Sequence, residues 1–253
     1  MTKTANRRIA HSEANCGFEK LAWDSGLFGF PVARLVSCDL GQAIDSMQRS
    51  GVRLAYASAR FTDHKMRAQL EALGARLVDR KLRYRKELHK PVVRPLGIES
   101  WQGRPCTPDL EDLAIASGHV SRFRVDPEVP IQVFRTLYVT WIRRSVSGEI
   151  ADETFVIEES GSPRGLVTLA MVRSSVNASN TASIGLIAVA QESRGRGLGK
   201  RLMSAAEAWS IDHGASALEV VTQGANNEAC ALYAASGCRV IADEAIYHLW
   251  LER

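Results

Sequence analysis

Residues 188–202, AVAQESRGRGLGKRL, concentrate groups suited to holding an anion. Gly195, Gly197 and Gly199 sit among Arg194, Arg196, Lys200 and Arg201. A glycine lacks the Cβ that would keep a ligand off the backbone N–H. Behind the glycines, Leu198, Leu202, Ala205, Ala206 and Trp209 recur at helical spacing on one face. A helix N-terminus presents unpaired N–H donors and a partial positive charge, which suits a pyrophosphate. Two familiar phosphate loops do not fit. A G-x-x-x-x-G-K-[ST] loop would need glycine at Arg194 and Ser or Thr at Arg201. A G-x-G-x-x-G fingerprint opening at Gly195 would need glycine at Lys200. What remains is a strand, R-x-x-G-x-G over Arg194–Gly199, and a helix. Taken alone, it reads equally as a surface turn with solvated arginines.

A second constellation follows, N-x-x-A-x-x-L-Y-x-x-x-G, from Asn226 through Ala229, Leu232 and Tyr233 to Gly237. A phenol of pKa about 10 can donate its proton to an adjacent thiolate whose conjugate acid lies near ~8.5. A lone Tyr on an Ala-rich helix reads more readily as a core aromatic. Together, in this order and spacing, the two motifs resemble the GCN5-related N-acetyltransferase (GNAT) superfamily over roughly Ala151 to Leu251. The resemblance implies acetyl-CoA as acyl donor. It implies that the amides of Gly195, Arg196, Gly197, Leu198, Gly199 and Lys200, with Arg194, hold the CoA pyrophosphate. The strand end Ile187, Ala188 and Val189 would splay and pair with the pantetheine arm, one N–H polarising the thioester carbonyl as an oxyanion hole. Asn226 would contact the same arm, and Tyr233 would protonate the departing thiolate. Attack is expected to be direct, because Cys230, with no His beside it in sequence, reads as a buried, inert thiol.

Leu21–Leu35, Ser121–Pro130 and YVTWIRRSVSG resemble one branch of that superfamily, which acetylates an amino group on a nucleotide-linked deoxysugar. The likeness then covers nearly the whole chain. Ser121, Arg122 and Arg124 fall in a loop after a helix, where guanidinium groups clamp a diphosphate; solvated loop arginines are the alternative. Phe123 would pack on sugar or base. Trp23, Phe28 and Phe30 read as core. One departure stands out. Many relatives carry a Glu on the splayed strand to deprotonate the amine, whereas TASIGLIAVA has no carboxylate. Asp24 and Asp79 are candidate bases, and His119 and His213 the other titratable options. His213 before Gly214 reads better as a helix cap.

The elements that must position these residues follow from periodicity. GVRLAYASARF reads as a strand, HKMRAQLEALGARL as a helix ending at Gly74, and RLVDRKLRYRKEL as an alternating strand. A helix opens near Pro108-Asp109, and a second covers IQVFRTLYVTWIRRSV. A hairpin turning at Gly161-Ser162-Pro163 leads to the strand TASIGLIAV, the glycine loop and a helix. The strand ALEVVTQ, the Tyr233 helix and a last strand complete the chain. The expected class is α+β, a mixed, mostly antiparallel sheet flanked by helices in a GNAT fold. A smaller α/β N-terminal subdomain is expected over residues 1–93 and the catalytic domain over 94–253.

Composition bounds the rest. The 253 residues are 45% hydrophobic and 24% charged, with net charge +4, which suits an anionic small ligand. Arg80, Lys81, Arg83, Arg85 and Lys86 alternate with apolar residues, so they read as a strand face and not a nucleic-acid patch. Five cysteines without a C-x-x-C pair argue for a reducing cytoplasm and against zinc, and no metal is expected. The longest apolar run, Ile184–Ala190, is too short for a bilayer. The basic start MTKTANRRIAHSEAN lacks the apolar core of a secretory signal. The expected partners are acetyl-CoA and a small-molecule amine, with no nucleic acid or membrane; a homodimer is left open.

Overall fold

A computed structural model describes residues 17–36, 39–172 and 180–251. The basic start, Cys16 and Cys38 lie outside the described residues. The chain divides into two compact units. The smaller comprises the described residues up to Ala59, Asp63–Leu77 and those from Ile246 on; the larger comprises Arg60–Thr62 and Val78–Ala245.

In the smaller unit, β1 (Phe18–Lys20) runs antiparallel to β2 (Val32–Leu35), which is parallel to β3 (Leu54–Arg60). The end of β10 (Arg239–Trp250) lies next to β3. Three helices accompany these strands: α1 (Ala22–Phe28), α2 (Leu40–Arg49) and α3 (His64–Ala72). Asp39 and Asp63 cap α2 and α3 by accepting from the Gln42 and Met66 N–H groups at 3.1 and 3.0 Å. Phe28 is buried against Phe30 and Trp250, with centroids 5.4 and 6.4 Å away. Trp23, expected in the core, is 44% exposed, because Phe28 is the buried residue of this short helix.

In the larger unit the strand order is β10, β4 (Arg76–Glu87), β9 (Ala215–Gln223), β8 (Asn180–Val189), β7 (Ser162–Val172), β6 (Glu153–Glu159), β5 (Glu99–Ser100). Only β8 and β9 pair in parallel among the pairs from β4 to β5. The flanking helices are α4 (Pro108–Ser117), α5 (Arg122–Val125), α6 (Ile131–Val146), α7 (Leu198–Asp212) and α8 (Asn227–Ala235). Leu198, Leu202, Ala205, Ala206 and Trp209 of α7 are all buried, as their spacing required. They join Phe155, Val167, Ile184, Leu218 and Tyr233 in one core.

Two local details differ from the sequence reading. The β6–β7 turn is Ser160-Gly161, one residue earlier than expected, with φ of 51° and 78°. Positive φ at both positions makes the type I′ turn that matches strand twist, so Ser162 and Pro163 already pair with Glu159 and Glu158. Residues 122–125 form a helical turn and not a loop.

The basic residues of β4 are neutralised in place. Arg80 grips Asp243 through two nitrogens (3.0 and 2.7 Å), Lys81 faces Glu244 (3.2 Å), and Arg85 meets Glu87 and Glu219 (2.6 and 2.8 Å). Arg83 lies 3.7 Å from Glu219, and Lys86 2.6 Å from Glu207. Among the described residues no helix is long and apolar enough to cross a membrane.

Candidate active site

Strand β8 changes partner along its length. It pairs with β9 from Asn180↔Ala215 to Ile184↔Val220, and no pair follows. Beyond Ile184 it remains paired with β7 through Val167↔Ile187, Leu166↔Ala188 and Gly165↔Val189. A bulge at Gly185–Leu186 marks the change, where β8 spends one residue more than β7 between Ile184 and Ile187. There the Leu186 N–H donates to the buried Thr168 Oγ1 (2.9 Å). Beyond the last pair, β9 continues against β4, up to Lys81↔Gln223. The two strands thus separate, and the edge of Ile187–Val189 that faced β9 is left without a ladder partner.

The glycine loop follows. Helices α2, α3, α4 and α8 each carry a side-chain cap, on Asp39, Asp63, Thr107 and Asn226; α1, α5, α6 and α7 have none. The N-cap of α7 is Gly197, with φ 80°. The leading N–H groups of α7 therefore face outward without a side-chain acceptor. The glycines serve different ends. A Cβ built on Gly195 or Gly197 meets no atom within 4 Å, so both backbones border open space. A Cβ on Gly199 would stand 3.2 Å from Leu232 Cδ2, so this glycine lets α7 approach α8.

The strand edge and the helix N-terminus meet in one cleft of about 490 Å³. Its wall includes Ile187, Ala188, Val189, Arg194, Gly195, Gly197, Leu198, Gly199, Lys200 and Asn226, all expected at a CoA site. His119 and Glu228 also line it. Arg194 reaches Glu228 across the wall (2.8 Å). Asn226 caps α8 by accepting from the Ala229 N–H (3.2 Å), which leaves its amide NH₂ for other partners. Arg196 does not join the wall; it turns to Glu159 in a bidentate pair at 2.7 and 2.8 Å.

Tyr233 stands behind the wall. It is 2% exposed, and its ring packs against Tyr84 with centroids 5.4 Å apart. Burial pushes its phenol well above the ordinary tyrosine range, so it stays protonated. Burial also raises Tyr84, whose hydroxyl lies beside the Cys230 thiol. Cys230 is half-buried and not fully enclosed, its Sγ 3.8 Å from the Gln223 carbonyl. His213 caps α7: its Nδ1 lies 2.8 Å from the Trp209 carbonyl and its ring stacks on that indole.

A second polar group lies in the same unit. Asp79 is half-buried on β4, and desolvation pushes its carboxyl up to about 6. Nearby Arg122 and Lys81 and the Arg80 N–H pull against that rise. The Tyr138 phenol, raised by burial, lies beside Ser121 within the field of Arg122 and Asp79. Gly118 makes room for Tyr138: a Cβ there would fall 2.2 Å from the ring. Ser121 is 3% exposed, Arg122 half-buried over the Phe123 ring (4.6 Å), and Arg124 exposed. The single turn of α5 thus parts the two arginines, and Phe123 is buried. Asp24, in the smaller unit, accepts from the Tyr56 hydroxyl (3.0 Å). In the sequence Asp79 has no local partner. Its neighbours Arg122 and Tyr138 are over forty residues away, and no local spacing announces them. Among the described residues no group of three or more His, Cys, Asp or Glu side chains could hold a metal ion.

Comparison with known proteins bears on the family and the fold. The model of the acetyltransferase (GNAT) family matches residues 121–238. No curated protein matches the chain. A GCN5-related N-acetyltransferase from Sphaerobacter thermophilus is similar at TM-score 0.57 and 17% identity, over 93% of this chain and 76% of that one. A structure from Novosphingobium aromaticivorans, titled a putative GNAT acetyltransferase, gives 0.57 and 17%, over 95% and 91%. A tandem GNAT protein from the clavulanic acid biosynthesis pathway gives 0.55 and 18%, over 89% and 77%. At such identities these likenesses establish the fold, which is the GNAT fold. The family match assigns residues 121–238, just under half of the chain, to the acetyltransferase (GNAT) family.

Proposed function

We propose that this GNAT acetyltransferase transfers the acetyl group of acetyl-CoA to the amine of a nucleotide-linked amino deoxysugar. That is the reaction of TDP-fucosamine acetyltransferase, which its segments around Leu21–Leu35 and Ser121–Pro130 resemble. The observation that carries the donor half is the cleft, where the uncapped start of α7 and the unpaired edge of β8 converge. The amides of Gly195–Lys200 suit a pyrophosphate. The free edge of Ile187–Val189 and the Asn226 NH₂ suit the amide groups of pantetheine, and a β8 N–H suits the carbonyl oxygen that gains charge. Arg194 must exchange Glu228 for a phosphate.

The amine nitrogen attacks the thioester carbon, the C–N bond forms and the C–S bond breaks. One amine proton must leave and the thiolate must gain one. Asp79, at about 6, is ionised at neutral pH and basic enough to take the first. Tyr233, protonated at neutral pH, is the donor of the second; burial makes it a weaker acid than a free phenol, so the transfer draws on the thiolate charge that builds beside it. Tyr233 is the residue after Leu232, which lines the cleft, so this role asks the thioester end to reach past that wall. The half-buried Arg122 offers a guanidinium for the diphosphate of the acceptor.

A thiol-release assay with acetyl-CoA tests this, run against nucleotide-linked amino sugars and, in parallel, polyamines, aminoglycosides and peptide N-termini. Turnover confined to the sugar nucleotides is expected. Turnover confined to another amine would replace the acceptor, and none at all would remove the reading.

A further inference from the structure

Above the β8 bulge the structure holds an unused donor. A Cβ built on Gly185 would stand 2.9 Å from Thr168 Oγ1, 3.5 Å from Trp141 Nε1 and 3.9 Å from Trp141 Cζ2. The indole edge thus borders the point where β8 leaves β9. Thr168 Oγ1 already accepts from the Leu186 N–H. The Trp141 indole N–H has no acceptor among the described residues, and the side chain is half-buried. Its orientation is set by packing: Trp141 stacks on Tyr138 (6.0 Å, 28°), and Tyr138 packs on Phe134 (5.1 Å). Tyr138 also borders Ser121, in the field of Asp79 and Arg122. An aromatic row of packed rings therefore runs from the Asp79 group to the bulge and ends in a free N–H.

We propose that Trp141 is a specificity-determining residue whose indole N–H donates a hydrogen bond to an oxygen adjacent to the acceptor amine. This rests on the acetyltransfer reading, in which the amine must approach the thioester from a point between Asp79 and β8. An indole nitrogen donates only, so the acceptor must offer a lone pair there. A hydroxyl on the carbon next to the amine-bearing carbon meets that demand, and a plain alkyl amine does not. The position of Gly185 fits: any side chain there would take the space the indole edge borders.

The test uses two probes, dTDP-linked 4-amino-4,6-dideoxygalactose and its 3-deoxy analogue, with wild type and Trp141→Phe. Phenylalanine keeps an aromatic ring and removes the N–H. Wild type should show a KM roughly five- to tenfold higher for the deoxy probe, the scale of one hydrogen bond. Trp141→Phe should raise KM for the hydroxylated probe by a similar factor, leave the deoxy probe unchanged and leave KM for acetyl-CoA at the wild-type value. Calorimetric binding of both probes to the CoA complex should show the same ratios without turnover. A wild type that treats the probes alike would overturn the inference even if the variant fails to fold. So would an equal loss on both probes, a raised KM for acetyl-CoA, or binding of neither probe. Wild-type turnover with no discrimination would leave the acetyltransfer reading standing, whereas absence of all thiol release would sink that reading itself.

Discussion

Replacing Asp79 by Asn should make the protein more stable and less active at the same pH. The folded state raises this carboxyl from 3.8 to about 6. At 1.36 kcal/mol per pH unit, that corresponds to ~3 kcal/mol of destabilisation once the group is ionised. The side chain keeps partial contact with water, which lowers the figure to about 1–2 kcal/mol. The sign follows from linkage. The folded state binds the proton more tightly, so the wild type loses stability as pH rises from about 4 to about 6 and carries the full penalty above that. Asparagine is neutral throughout. Urea unfolding should therefore show Asp79→Asn ahead by about 1–2 kcal/mol near pH 7.5, with the gain gone below about pH 4. At neutral pH, kcat/KM should fall by roughly 10²-fold or more, the scale of general base catalysis. The wild-type rate should rise with pH through a limb near 6, and the variant should lack it. A variant equally stable at both pH values would refute the burial argument; one that turns over normally would refute the base.

Other perturbations separate the remaining roles. Tyr233→Phe keeps the packing on Tyr84 and should lower kcat by roughly 10²-fold or more, with acetyl-CoA affinity near wild type by calorimetry. Cys230→Ala should leave kcat within about twofold in a stopped assay, since no covalent step uses the thiol. Gly197→Val puts a β-branched residue at φ 80° and a side chain into open cleft space; a folded protein with CoA affinity reduced beyond calorimetric detection is expected. Gly118→Ala pushes a methyl into the Tyr138 ring and should cost about 1–3 kcal/mol in urea unfolding, with a loss of activity that acetyl-CoA saturation does not restore.

The cleft proposed for the acyl donor is lined by residues that the sequence already groups, because its features are local. A glycine with open space beside it, a helix start without a capping side chain and an Asn N-cap each lie within a few residues of the next. The helix over residues 131–146 and the buried face of α7 follow from periodicity alone. The group proposed for the acceptor was not legible in this way. Asp79 gains its raised pKa only when β4 brings it near Arg122, and Trp141 meets Gly185 across a gap of 44 residues. The arginines of the Ser121 segment looked alike in a loop; one helical turn buries half of the first and exposes the other. The Arg196 guanidinium, in a loop crowded with cations, is held by a carboxylate from the neighbouring hairpin, Glu159, a pairing that leaves its backbone amide unaffected and that no local spacing announces. Long-range partners, and not residue types, separate these cases.

The central claim is that the start of α7 and the edge of β8 together hold the acyl donor. A titration of the ¹⁵N-labelled protein with CoA tests it most directly. The amide signals of Gly195–Lys200 and of Ile187–Val189 should shift together and saturate with one dissociation constant, while those of β5 and β6 stay still. Saturable binding whose shifts map elsewhere, with both of these segments unmoved, would contradict the account.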